Sequence, residues 1–240
     1  MNDVNSLAIK TIAQNKLNFD LLPKEIKINV FSVVIKADIG FDCEELLQRI
    51  NLKKDNVPNV EIKVKPNSKY FHGITYIMLN SDNKRKISVK IFGDRICICS
   101  LKSIEELTSA ISFIANLYPF NISHTTCNNL SASVSFDGKI NYELFSDILL
   151  KDGFMIDTSK NSASQLRTKI RNNTIFFFSK EYLMNNSGDV NSIIEAYHII
   201  QDELQKCNIK VKTNIAKTSR CSALFEYFIK SCAYIYKKLS

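Results

Sequence analysis

The residues to weigh first for chemistry are Cys97 and Cys99. Two residues apart on a strand, they project from one face. A metal site there is disfavoured, because the chain has only 3 histidines and none clusters nearby. The cysteines number 7, an odd count with no CxxC pair, which argues for a reducing compartment rather than a disulfide framework. No other constellation points to catalysis. There is no glycine-rich phosphate loop, no carboxylate pair at informative spacing, and no Cys/His or Ser/His arrangement above chance. His124 and His198 stand alone and read as structural. The chemistry expected is therefore non-covalent recognition, with no enzyme activity, cofactor or metal. A formal charge of +8 favours a polyanionic partner. The run Lys84-Arg85-Lys86 reads as a solvated hairpin tip within reach of phosphate.

The elements that must position these residues are legible in outline. With 240 residues and 45% hydrophobic content, the chain can bury one extended core or two small ones. Helix and strand signals alternate throughout, against disorder. No apolar run approaches the roughly 20 residues needed to cross a bilayer, and the N-terminus lacks a signal-peptide core. The expectation is a soluble intracellular protein with no membrane partner. A short helix over Ser6–Lys16 precedes Pro23, and a strand follows at Ile28–Lys36. Asp42 caps a helix carrying Leu46, Leu47 and Ile50. Strands are predicted at Val60–Val64, Phe71–Leu79, Ile87–Phe92 and Arg95–Ser100, the last two joined by a Gly93-Asp94 hairpin turn. Ser103 and Glu106 form a capping box for a helix bearing Ile104, Leu107, Ile111, Ile114 and Leu117, which Pro119 stops.

The order then repeats. A strand near Asn129–Phe136 leads through a hairpin-like Asp137-Gly138 to a helix opened by Asn141, with Leu144, Ile148 and Leu149 on it. Two or three strands lie between Phe154 and Met184, and a long helix covers Val190–Lys206. A strand-like Ile209–Ile215 and a helix with Leu224, Phe225, Phe228, Tyr234 and Ile235 fall outside the duplication. Asn29-Val-Phe-Ser-Val-Val34 is echoed by Asn129-Leu-Ser-Ala-Ser-Val134, and Val89-Lys-Ile-Phe92 by Ile175-Phe-Phe-Phe178. A duplicated unit implies a pseudo-twofold molecule, and such a molecule suits a pseudo-twofold ligand such as duplex DNA. Leu130, Ala132, Val134 and Phe136 alternate with Asn129, Ser131, Ser133 and Ser135. One sheet face therefore packs on helices while the other stays open.

These stretches resemble the TATA-binding protein family, whose saddle has two repeats of strand, helix, four strands and helix. Asn29–Val34 resembles N-I-V-S-T-V, and Phe71-His-Gly-Ile-Thr-Tyr-Ile-Met78 resembles F-P-G-L-I-Y-R-M. Lys90-Ile-Phe-Gly-Asp-Arg-Ile-Cys-Ile-Cys-Ser100 resembles L-I-F-x-S-G-K-x-V-x-T-G less one residue. Ala115-Asn-Leu-Tyr-Pro119 resembles the end of the repeat's long helix, and Asn128-Asn-Leu-Ser-Ala-Ser133 resembles Q-N-M-V-G-S. The resemblance covers about residues 27–205. It implies an α+β fold, a pseudo-twofold saddle whose curved antiparallel sheet carries helices on its convex face. The division it implies is an extension at 1–26, repeats at 27–119 and 120–206, and an extension at 207–240.

The function implied is a transcription initiation factor that binds and bends AT-rich promoter DNA through the minor groove, with transcription factors or RNA polymerase as further partners. Apolar wedges unstack a base step in that mode of binding, for which the TATA-binding protein is the standard example. By position, Asn29 and Asn129 would sit near the pseudo-dyad and donate to A N3 or T O2. Phe71 and Phe92 would be the wedges of repeat one, with Phe31, Cys97 and Cys99 sharing their face. Lys90 stands where the family has an apolar groove residue. In repeat two, Phe176, Phe178, Leu183, Asn185 and Ser131 would line the groove, with Ala163 in place of a second wedge. The family's acidic partner-binding stirrup is not visible in Asp157-Thr-Ser-Lys-Asn-Ser-Ala163. Phe92 and Phe178 are alternatively core phenylalanines, and the whole is alternatively a saddle-fold protein scaffold with weak or lost DNA bending. The C-terminal extension would then serve a homodimer or heteromer. Abundant Asn, Ile and Lys suit an AT-rich genome such as that of a large DNA virus, acting in the host nucleus or a cytoplasmic factory.

Overall fold

The computed structural model describes residues 17–53, 60–64, 74–80, 85–157 and 166–212. The predicted helix at Ser6–Lys16, Phe71, Ala163 and the C-terminal helix lie outside them. The strands are β1 (Ile26–Ala37), β2 (Val60–Val64), β3 (Ile74–Asn80), β4 (Arg85–Phe92), β5 (Arg95–Leu101), β6 (Ile122–Ser135), β7 (Ile156–Asp157), β8 (Leu166–Ile170), β9 (Asn173–Phe177) and β10 (Glu181–Asn186). They form one 10-stranded sheet in the order β2-β3-β4-β5-β1-β6-β10-β9-β8-β7. Every ladder is antiparallel. The helices are α1 (Cys43–Lys53), α2 (Ile104–Leu117), α3 (Tyr142–Lys151) and α4 (Val190–Lys206).

The sheet's centre is the β1–β6 ladder, and its register carries the duplication. Phe31 faces Leu130, and on either side the pairs answer each other: Val30–Ser131 with Ser32–Asn129, Ile28–Ala132 with Val33–Cys127, Lys27–Ser133 with Val34–Thr126. The pseudo-dyad thus passes through the Phe31–Leu130 pair. Each long strand is interrupted once near it, β1 at Asn29 and β6 at Asn128, by an extra residue that turns the side-chain alternation over. This corrects the parity expected for Phe31. Counting by twos from Asn29 puts Phe31 on the open face, but the bulge intervenes. Phe31 is instead fully buried, its ring edge-on to Phe19 at 5.2 Å.

One continuous core holds the fold together. Phe31, Val33 and Ile35 of β1, Ile96 and Ile98 of β5, Leu130, Ala132 and Val134 of β6, and Ile175 and Phe177 of β9 all point into it. Leu46 and Ile50 of α1, Leu107, Ile111 and Ile114 of α2, Phe145 and Leu149 of α3, and Ile193, Ala196, Ile200 and Leu204 of α4 meet them. All four described helices therefore cover the same sheet face, and each Val, Leu, Ile or Phe side chain so buried contributes about 1.5–3 kcal/mol. Phe145 and Phe177 pack edge to face at 5.0 Å.

Local chemistry sets the element ends. Asp42 Oδ1 accepts from the Glu44 and Glu45 N–H groups, and Asn141 Oδ1 from that of Leu144. Ser103 Oγ accepts from the Glu106 N–H, while Glu106 Oε2 accepts from the Lys102 N–H. The β4–β5 turn places Gly93 at φ 56°, with Phe92 opposite Arg95. Three expectations change. Four strands, not two or three, lie between Phe154 and Asn186, because β7 is only 2 residues long. Asp137-Gly138 makes no hairpin; the Asp137 N–H donates to Lys210 O, and Val211 bridges Phe136 in the described part of the strand expected at Ile209–Ile215, the rest of which lies outside the described residues. Leu144 points outward, 52% exposed, because α3 buries Phe145 and Leu149 instead.

Candidate nucleic-acid interface

The residues left over by the core make up the other face of the sheet, free of helices among the described residues. Strand alternation places Ser88, Lys90 and Phe92 of β4, Cys97 and Cys99 of β5, and Val30, Ser32 and Val34 of β1 on it. Beyond the dyad follow Thr126, Asn129, Ser131 and Ser133 of β6, Leu183 and Asn185 of β10, Thr174 and Phe176 of β9, then Phe178 just past its end. Near the dyad the floor is made of short polar groups. Ser131 and Ser133 are only 9% and 7% exposed, sunk between taller neighbours on the flanking strands. Ser133 Oγ donates to Asn29 Oδ1 at 3.1 Å, so the Asn29 amide shares this face although it sits at the bulge. Asn129 is exposed and lies opposite Ser32.

The register gives each floor residue a counterpart across the dyad. Val30 corresponds to Asn129 and Asn29 to Asn128, so the two asparagines expected as a symmetric pair are offset by one residue. Cys97 answers Leu183, Cys99 answers Asn185, and Ser88 answers Thr174. Lys90 answers Phe176, and Phe92 answers Phe178. Both phenylalanines flank hairpin turns and are half-exposed, whereas their neighbours Ile91 and Phe177 are core. Of the residues singled out from sequence, all but Phe31 and Phe71 are brought to this face; Phe31 is core and Phe71 is outside the described residues.

Charge is concentrated on exposed strand positions. Lys90 is exposed beside Cys97, and Lys36 and Arg95 share Asp94 at 3.6 and 3.8 Å. In the other half, Arg167 lies over the Phe176 ring at 5.4 Å and 3.7 Å from Asp157, while Lys169 stands exposed on the same strand. Sequence reasoning missed Val30, Ser32, Thr174 and Arg167. The alternation of β8 held a signal for Arg167; nothing marked Val30 and Ser32, because the bulge that turns them has no signature of its own. The thiols are distinctive. Cys97 and Cys99 Sγ lie 3.5 Å apart. The hydrogen bond from Cys97, helped by Ser32 and the Lys90 charge and opposed by burial, pulls the Cys99 thiol down to about 6. The same bond, with burial, pushes Cys97 up. No group of 3 or more His, Cys, Asp or Glu side chains able to hold a metal occurs among the described residues. Nor is any described helix long and apolar enough to cross a membrane.

A pseudo-twofold antiparallel sheet with all the described helices on one face and a short-polar, aromatic-flanked floor on the other defines the fold class: the saddle of the TATA-binding proteins. Among solved structures the chain is similar to Methanococcus jannaschii TBP, with a TM-score of 0.51 and 18% identity over 76% of this chain and 98% of that one. That likeness establishes the fold. A looser match, to the structure of A. aeolicus tRNASec in complex with M. kandleri SerRS, has a TM-score of 0.32 and 8% identity over 75% of this chain and 30% of that one, and carries no argument. No family model matches the chain, and no curated protein matches it in sequence.

Proposed function

We propose that this chain is a TATA-binding-protein-like transcription initiation factor that lays its helix-free face in the minor groove of AT-rich duplex DNA and bends it. The observation that carries the reading is the face itself: wide, dyad-related, low at its centre and flanked by Phe92 and Phe178. An opened minor groove offers the acceptors A N3 and T O2, and Asn129, Ser131 and Ser32 supply donors of the right length to meet them. Phe92 and Phe178 would enter base steps at opposite ends of the site, with Phe71, on the strength of the resemblance, adding to the first end. The cations of this face, Lys36, Lys90, Arg95 and Lys169, would follow the phosphates. Residues 27–119 and 120–206 act as the two halves, with the segments at 1–26 and 207–240 as extensions, the latter serving self-association or a transcription partner.

The test is a mobility-shift titration of AT-rich and GC-rich duplexes across a salt series. With about six phosphates neutralised, log K falls against log salt with a slope of about −5, and the AT-rich duplex is preferred. The competing reading, a protein scaffold without DNA bending, draws on Leu144, Leu150 and Met155, which are 52%, 55% and 79% exposed. No shift at micromolar protein, or a flat salt response, would favour it.

A further inference from the structure

We propose that Cys97 and Cys99 form a dithiol oxidation site on the helix-free face, at which a hydroperoxide closes an intramolecular disulfide. The site stands on three observations. The two sulfurs are 3.5 Å apart on one strand face, each half-buried and so within reach of a small oxidant. Lys90 lies directly across from Cys97 on β4, and the Ser32 hydroxyl of β1 stands beside Cys99, so the pair has a cation and a hydroxyl next to it. The strand can also yield. Two residues of extended chain set the Cα atoms roughly 6.6–6.8 Å apart, at the upper end of what a disulfide spans. Ser100, the next residue, already has φ 67°, and the ladder to β1 is broken between Ile98 and Leu101. A slight pucker there brings the pair within bonding range.

The chemistry balances without any other reagent. The Cys99 thiolate attacks the terminal oxygen of the hydroperoxide; an S–O bond forms, the O–O bond breaks, and the departing alkoxide, hydroxide in the case of hydrogen peroxide, takes a proton to become the alcohol or water. The Cys97 sulfur then attacks Cys99; the S–S bond forms, the S–O bond breaks, and the hydroxyl leaves as water with the Cys97 proton. Two thiols lose two electrons and one hydroperoxide is reduced. A thiol ionised near neutral pH beside a resolving partner is the arrangement such sites require. The rate advantage is modest, because nucleophilicity falls with basicity. At pH 7 the larger thiolate fraction and the weaker sulfur together leave Cys99 about fourfold faster than an ordinary thiol. Cys127 and Cys207, both pushed up by burial, are the internal references.

The experiment treats the full chain with limiting hydrogen peroxide, traps remaining thiols with N-ethylmaleimide, and maps the peptides by mass, with and without saturating AT-rich duplex. The expected product is a Cys97–Cys99 cross-link lighter by two hydrogens, formed before Cys127 or Cys207 reacts and reversed by dithiothreitol. Its formation rate should rise with pH through a midpoint near 6. Cys97→Ser should leave a sulfenic acid on Cys99 that dimedone traps, and Cys99→Ser should remove the fast phase. Full alkylation of both cysteines after peroxide, or earlier oxidation of Cys207, overturns the proposal. The duplex arm rests on the function proposed above. Bound DNA should slow the cross-link about tenfold at ten times the Kd. A duplex that binds without protecting would refute that placement of DNA while leaving the thiol site intact.

Discussion

The two halves of the described sheet, called repeat one and repeat two after the duplication expected from the sequence, share a ladder, a dyad and a helix order, yet they solve the same burial problem with different chemistry. Repeat one is apolar where repeat two is polar: Ile87, Leu101 and Ile96 correspond to Asn173, Asn186 and Tyr182. Asn173 is 1% exposed, and its Nδ2 donates to both Ser192 O and Ser192 Oγ at 2.8 Å. Asn186 Nδ2 donates to Asn173 Oδ1 and Asp189 O, while Asn186 Oδ1 accepts from the Gly188 and Asp189 N–H groups. This network stitches β9 and β10 to the first turn of α4. Repeat one reaches the same end with the partly buried capping box of Ser103 and Glu106. A buried amide network holds an orientation firmly when every member is satisfied and fails badly when one is removed. Repeat two should therefore be the more brittle half, and the floor it supports the more rigid.

Gly188 sets the largest expected effect. Its φ is +92°, and a Cβ there would stand 2.3 Å from Cys127 Cβ and 2.7 Å from its carbonyl oxygen. Backbone against backbone cannot yield cheaply, so Gly188→Ala should cost about 4 kcal/mol in urea unfolding. A cost below about 1 kcal/mol would mean that the β10–α4 link is not docked on β6. Next comes Asn173→Leu, which gives repeat two the apolar character of repeat one but strands the Asn186 amide and the Ser192 carbonyl. The expected loss is about 3 kcal/mol, and an unchanged urea midpoint would show that the network does not distinguish the halves. Tyr182 tests the same contrast with the opposite sign. Its hydroxyl is buried without a hydrogen-bond partner among the described residues, and desolvation pushes its pKa well up. Tyr182→Phe should leave stability unchanged or raise it by about 1 kcal/mol. On the floor, Lys90→Phe copies Phe176 into repeat one. It should make the salt slope of duplex binding about one unit shallower, and an unaltered slope would remove Lys90 from the phosphate contacts.

How much of this was readable depended on the signal each feature leaves. Helix α4 and strand β2 emerge with the bounds expected, since an uninterrupted period and clear flanking residues define both. Alternation along Leu130–Phe136 survives because no bulge falls within it. Asn29–Phe31 misleads for the converse reason: one inserted residue turns every side chain after it to the opposite face, and composition does not mark where it sits. Asn173 and Asn186 read as ordinary strand polars, because their partners on α4 are brought near only by the fold. Among three successive phenylalanines, parity separates Phe177, buried against Phe145, from Phe176 and Phe178 on the other face, once the register to β10 is known.

The measurement closest to the central claim is the end-to-end fluorescence distance of a labelled AT-rich duplex bound by the wild-type chain, by Phe92→Ala and by Phe178→Ala. Loss of a wedge forfeits the few kcal/mol that offset unstacking, so each variant should straighten the bound duplex. Phe92→Ala combined with Phe71→Ala should straighten it more than Phe178→Ala does. A wild-type complex in which the duplex remains straight, or variants that bend it as strongly as the parent, would contradict the assignment of the helix-free face to DNA bending.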